Sequence, residues 1–272
     1  MGRADGSVVS SVLSAATPSP FDVRGHAAMV TGASRGIGFA LAEGLVRAGV
    51  DVVLTARHEG PLQDAATLMR TRHPGARVEV VAFDVTDPAD VERGVELAER
   101  RIGPLDILVN NAGLQHRAPL AEFPDDAWAR LLAVNLTGPF LVGRAVARPM
   151  IGRGHGKIVN IASLQSEVVR PGIAPYSATK GGLKMLTKGM CADWAGSGLQ
   201  VNAIGPGYIV TELTQALHDD PTFDAWVRGR TPAGRWGQPE DIVGTMLYLV
   251  SPAADFVNGQ IIYVDGGMLT VL

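Results

Sequence analysis

The sequence predicts an α/β fold in a single domain. Three observations carry this. Short apolar runs alternate with amphipathic helical stretches along most of the chain, the pattern of strands covered by helices. The first run, from His26 to Thr31, passes into a glycine turn and then a helix-like stretch. No repeat or low-complexity linker interrupts Asp22 to Leu272, so nothing marks a second domain.

Composition narrows the function classes. The chain has 272 residues, 46% hydrophobic and 19% charged, enough for one large core. A net charge of −3 gives no electrostatic case for nucleic acid or an anionic membrane. No apolar run approaches the length of a membrane span. A single cysteine, Cys191, excludes an internal disulfide and fits a reducing compartment, so the cytoplasm is expected. Residues 1–21 are small and polar, Ser- and Ala-rich, and read as a disordered tail.

The glycine turn spaces Gly32, Gly36 and Gly38 as GxxxGxG. One glycine makes the tight turn, another admits backbone to a pyrophosphate, and the last lets the helix pack on the strand. The helix N-terminus beyond them offers free N–H groups to phosphate, so Ser34 and Ile37 join the candidate site. A plain strand-to-helix turn is the bland alternative. The second strand, Val50 to Arg57, ends without the carboxylate that would hold a ribose 2′-hydroxyl. Arg57 stands there, and Arg35 lies within the glycine loop. Two guanidiniums favour a 2′-phosphate, hence NADP(H), with NAD(H) as the alternative.

The third strand ends at Asp84 and Val85. Asp84 either accepts from an adenine amino group or caps the helix announced by Thr86-Asp87-Pro88. The fourth strand leaves the sheet at Asn110, Asn111, Ala112 and Gly113, where buried amides can tie strands together. A long helical stretch from Asp125 to Met150 carries Asn135 on an apolar background; it has a backbone partner or holds a water for a proton relay. The fifth strand delivers Ser163. Tyr176 and Lys180, at i and i+4, share one helix face, with Pro175 in the first turn. A lysine beside a phenol favours phenolate and makes Tyr176 a candidate general acid/base. The sixth strand ends at Pro206-Gly207. The segment 208–237 then breaks the alternation with aromatics and charges and reads as a substrate lid.

Glycine turn, NNAG, the asparagine, Ser163, the YxxxK of Tyr176 and Lys180, and Pro206-Gly207 occur in this order over residues 22–272. Together they resemble the short-chain dehydrogenase/reductase family. The resemblance implies a Rossmann-type, doubly wound, seven-stranded parallel sheet with helices on both faces. It makes Asn135, Ser163, Tyr176 and Lys180 the catalytic four, and gives Ile209 and Thr211 to the cofactor, Thr211 at its carboxamide. It implies a homotetramer, with a homodimer as the alternative.

Stretches such as NNAGLQHRAPLAEFP and SLQSEVVRPGIAPY resemble a sugar-acid branch of that family, the gluconate 5-dehydrogenases. A small-molecule sugar-acid substrate is therefore expected. Arg117 is the candidate for its carboxylate, with Gln165 and Glu167 as hydroxyl partners and His116 within reach. No histidines stand at ligand spacing, so no metal is expected. Rivals are an NADP-binding regulator without chemistry and a reductase of 3-oxoacyl carrier-protein thioesters. The latter needs a basic patch beside the pocket, for which Arg144, Arg148 and Arg153 are candidates.

Overall fold

The strands are β1 (Ala27–Thr31), β2 (Asp51–Ala56), β3 (Val78–Ala82), β4 (Ile107–Asn110), β5 (Gly156–Ile161), β6 (Leu199–Pro206) and β7 (Ile261–Val264). The structure is a computed structural model that describes residues 19–271. All seven strands are parallel and lie in the order β3-β2-β1-β4-β5-β6-β7. The order reverses between β1 and β4, which opens a crevice beyond their carboxyl ends.

The helices are α1 (Gly36–Arg47), α2 (Glu59–Arg72), α3 (Pro88–Ile102), α4 (Asp125–Leu132), α5 (Gly138–Arg153), α6 (Ala174–Trp194), α7 (Gln215–His218), α8 (Pro221–Arg230) and α9 (Val243–Val250). They cover both faces because the strands are apolar on both. Every residue of β1 is buried. Ala28 and Val30 face one way, onto Leu41 and Leu45 of α1, Leu62 of α2 and Met246 of α9. Met29 between them faces the other way, toward Val91 of α3, Val142 of α5 and Met190 of α6.

Local chemistry sets the helix ends. Asp87 caps α3 by accepting from the Ala89 and Asp90 amides, as its position before Pro88 predicts. Helix α5 stops at Gly154, whose φ of 75° is left-handed. Pro175 sits in the first turn of α6, where its missing N–H is harmless.

The helical stretch predicted across Asp125 to Met150 is continuous but not regular. Between α4 and α5 a π-helical turn spans Ala133–Thr137, with Asn135 at its centre. Such insertions interrupt the backbone ladder and tend to mark functional positions.

Residues 1–18 of the expected tail lie outside the described residues. Residues 19–21 are exposed but attached: the Ala253 amide donates to the Pro20 carbonyl at 2.7 Å, and the Phe21 ring lies 6.5 Å from that of Tyr248. Among the described residues no helix is long and apolar enough to cross a membrane.

Candidate active site

One cavity of about 1170 Å³ runs along the carboxyl ends of the strands. It exceeds the ~300–1,000 Å³ usual for a single small ligand, which suits two ligands side by side. Ser34, Arg35, Ile37, Val85, Ala112, Pro206, Gly207, Ile209 and Thr211 all line it.

The glycine loop has three separate steric reasons. Gly36 has φ of 57°, a left-handed turn at which a side chain is strained. At Gly32 an added Cβ would meet the Ala112 Cα at 2.9 Å. At Gly38 it would fall 2.3 Å from the Gly32 carbonyl oxygen, so only glycine lets α1 approach β1 this closely. The first turn of α1 has no acidic residue, and no side chain caps it. Its N–H groups and positive dipole end face the cavity, a ready site for a pyrophosphate.

Arg57 also lines the cavity, exposed and without a hydrogen-bonding partner among the described residues. Arg35 differs from expectation: it donates to Glu212 at 2.7 Å, bridging the glycine loop and the lid. Both side chains are largely exposed, so this pair is weak and easily exchanged. Asp84 does not cap α3, a role that Asp87 takes. One Asp84 oxygen accepts from the Thr86 amide and hydroxyl, at 2.9 and 2.7 Å, while the residue lines the cavity.

The amides after β4 tie strands together. Asn110 Nδ2 donates to Asn160 Oδ1 on β5 at 2.9 Å, and Asn111 Nδ2 donates to the Thr31 carbonyl at 2.9 Å. Gly113 then passes close to Asn135 and Lys180.

Ser163, Tyr176 and Lys180 meet at the cavity wall. Ser163 is buried and accepts from the Gln165 amide at 3.1 Å. Burial pushes the Tyr176 pKa up, while the Ser163 hydroxyl and the Arg117 charge pull it down. Lys180 lies beside the phenol, on α6 with it. Its amine is 5.8 Å from the centre of the Tyr176 ring and donates to the Ile161 carbonyl at 2.7 Å. Burial lowers its own pKa to about 8. A buried ammonium is costly, which lowers its pKa, and Arg117 adds a second positive charge that favours the phenolate.

Asn135 is fully buried, and its amide is already spent. Oδ1 accepts from the Leu114 amide at 2.9 Å; Nδ2 donates to the Leu114 carbonyl at 2.9 Å and to Thr179 Oγ1 at 3.2 Å. The backbone-partner reading holds for the side chain. It fastens the loop after β4 to α6, one residue from Lys180.

Gln165 is buried and lines the cavity, where Ser177 donates to it at 3.3 Å. Glu167 does not join the site. Its carboxylate is held by Lys184 and by the Tyr263 hydroxyl, outside the cavity lining. Its side chain points away because the 3-10 turn Leu164–Ser166 rotates the chain between Gln165 and Glu167. His116 packs its ring 5.1 Å from Phe123 and does not line the cavity either.

Arg117 opens on the cavity and donates to Gln115 Oε1. Although the residue is exposed overall, its guanidinium loses enough water for its pKa to fall, and Arg170 adds repulsion. Arg170, Tyr208 and Thr214 line the cavity too, without having been singled out as site residues. A cation in the loop leading to Tyr176 was the available signal for Arg170. The lid is built as expected from aromatics: Tyr208 lies 5.5 Å from both Phe223 and Trp236, ring centre to ring centre. Among the described residues no cluster of metal-ligating side chains occurs.

The fold agrees with the comparisons. A family model described as enoyl-(acyl carrier protein) reductase matches residues 32–269. The chain belongs to the short-chain dehydrogenase/reductase family and is an oxidoreductase. It is 52% identical over 255 residues to the gluconate 5-dehydrogenase of Gluconobacter oxydans, covering 94% of this chain and 99% of that protein. It is 45% identical to the 5-keto-D-gluconate 5-reductase of Escherichia coli, covering 93% and 98%. A crystal structure of a gluconate 5-dehydrogenase from Burkholderia cenocepacia, in complex with NADP and tartrate, superposes with a TM-score of 0.89 at 52% identity, covering 93% of this chain and 98% of that one.

Proposed function

We propose that the protein interconverts D-gluconate and 5-keto-D-gluconate by hydride transfer with NADP(H), NAD(H) being the weaker cofactor. The observation that carries this is one continuous cavity with Arg57 at its cofactor end, Ser163 and Tyr176 at its wall, and Arg117 near Tyr176. The relatives named above support the substrate, and the NADP in the Burkholderia structure supports the cofactor.

When bound, the nicotinamide accepts or gives the hydride. The α1 N-terminus and the glycine loop hold the pyrophosphate, and Arg57 and Arg35 the 2′-phosphate; Arg35 leaves Glu212 to do so. Arg117 holds the substrate carboxylate and so sets which carbon faces the nicotinamide. Ser163 donates to the reacting oxygen. Tyr176 takes the hydroxyl proton in oxidation and returns one in reduction. Its raised pKa keeps it protonated at neutral pH, ready for the reductive direction. Lys180 orients the nicotinamide ribose, and Asn135 holds the loop after β4 in place.

The thioester rival lacks its basic patch. Arg144, Arg148 and Arg153 lie on α5, outside the cavity lining. Arg148 pairs with Glu92 at 2.7 Å, and Arg153 stands 3.6 Å from Glu99. As for assembly, β7 is an edge strand, half-buried along its length, which is compatible with a tetramer; light scattering tests that.

The test is nicotinamide absorbance with D-gluconate plus NADP⁺ or NAD⁺, and 5-keto-D-gluconate plus NADPH or NADH. Turnover is expected chiefly with NADP(H). Turnover confined to NAD(H) would overturn the cofactor choice, and silence in all four mixtures the substrate.

A further inference from the structure

Arg117 and Arg170 line the same cavity, and only Arg117 has so far been given a task. Arg170 sits on the loop between the Leu164–Ser166 turn and α6, and it lines the same cavity as Arg117. Its surroundings are built from three distant parts of the chain. Its Nε donates to the Tyr208 hydroxyl at 3.2 Å, beyond the end of β6. Its guanidinium carbon lies 5.1 Å from the centre of the Phe223 ring on α8 of the lid. Its Nη1 reaches only the neighbouring Pro171 carbonyl at 3.4 Å.

All of these partners are neutral. Among the described residues neither Arg170 nor Arg117 has a carboxylate partner. Within 208–237, by contrast, Arg228 is paired with Asp224 at 2.8 Å and Arg235 with Asp241 at 2.6 Å, while Arg230 donates to the Val271 carbonyl. Two like charges that repel across a partly dry cavity raise the energy of the ligand-free protein. An anion placed between them removes that penalty and gains charge-assisted hydrogen bonds.

We propose that Arg170 is a second specificity-determining residue, which together with Arg117 clamps the carboxylate of the substrate, and that Tyr208 and Phe223 of the 208–237 segment brace it. The choice of gluconate as substrate rests on the function proposed above; the clamp itself does not. Phe223 acts through Arg170 and is a positioning residue.

The test measures binding of tartrate and of D-gluconate to the NADP⁺-loaded protein by calorimetry, beside binding of NADPH alone. For Arg170→Gln, the Kd for both carboxylates is expected to rise by about tenfold or more. NADPH binding stays at the wild-type level. Arg170→Lys keeps a charge but loses the planar fork, and an intermediate rise is expected. Phe223→Leu weakens carboxylate binding in the wild type and adds nothing in the Arg170→Gln background. Unchanged carboxylate binding in Arg170→Gln, or equal losses for NADPH and carboxylate, overturns the proposal. So does a wild type that binds neither carboxylate. Should Arg170→Gln fail to fold, wild-type carboxylate affinity in Arg170→Lys overturns the fork. A wild type that binds tartrate through Arg170 but turns over no gluconate overturns the substrate assignment and leaves the clamp standing.

Discussion

The amine of Lys180 donates to the Ile161 carbonyl at 2.7 Å and stands 5.8 Å from the centre of the Tyr176 ring. One contact ties α6 to the end of β5, and the other leaves the phenol to be governed by its surroundings. Tyr176→Phe removes the exchangeable proton and little else. Turnover is expected to fall by about 10²–10⁴-fold. NADPH affinity, followed by fluorescence, stays within a small factor of wild type. A variant with normal turnover would remove Tyr176 from the mechanism.

Lys180 also makes stability depend on pH. Its pKa falls from an ordinary 10.5 to about 8 in the folded protein. The unfolded chain therefore binds more protons between those values, and stability rises with pH across that window. Below about 8 the full penalty of the buried ammonium is present. The difference between wild type and Lys180→Met should grow in favour of wild type through the window, by about 3 kcal/mol at most. Urea melts at a pH below the window and at one near its top would show it. A difference that does not change would mean that folding leaves the pKa of the amine unshifted.

Arg57 has no hydrogen-bonding or ion-pair partner among the described residues. Arg57→Ala should lower kcat/KM for NADP⁺ by about ten- to a hundredfold while leaving NAD⁺ almost untouched, since a hydrogen bond to a charged group contributes about 1.5–3 kcal/mol. Steady-state kinetics with each cofactor measures the ratio. Equal losses for both would mean that Arg57 does not contact the 2′-phosphate.

Gly38 leaves no room for a side chain, whereas a Cβ at Gly60, near the start of α2, meets nothing within 4 Å. Gly38→Ala should cost about 1–3 kcal/mol and weaken NADPH binding, because α1 must move off β1. Gly60→Ala should be neutral or slightly stabilising. Thermal melts of the two variants compare them directly; equal melting temperatures would show that the loop yields without strain.

The sheet was legible because its strands are apolar on both faces, so β1 stands out as a short buried run. Gly32, Gly36 and Gly38 were legible because their need is local and steric. Ser163, Tyr176 and Lys180 came from spacing along the chain, which a helix converts directly into position. What escaped depends on distant segments. The Arg35–Glu212 pair spans 177 positions, and the bracing of Arg170 needs the lid folded over it. Glu167 lies only two residues from Gln165, yet a single short turn sends it to Lys184 and Tyr263. The π-turn at Asn135 leaves the apolar periodicity nearly intact and so gave no signal.

Ser163 stands at the end of a central strand, and Tyr176 and Lys180 on a helix packed against the sheet. Arg117, Arg170 and Tyr208 stand on loops beyond it. The first group cannot be displaced without rebuilding the core; the second can be exchanged one side chain at a time. Sequences of this lineage can therefore change diet while keeping their chemistry, and two of them sharing Ser163, Tyr176 and Lys180 need not share a nutrient.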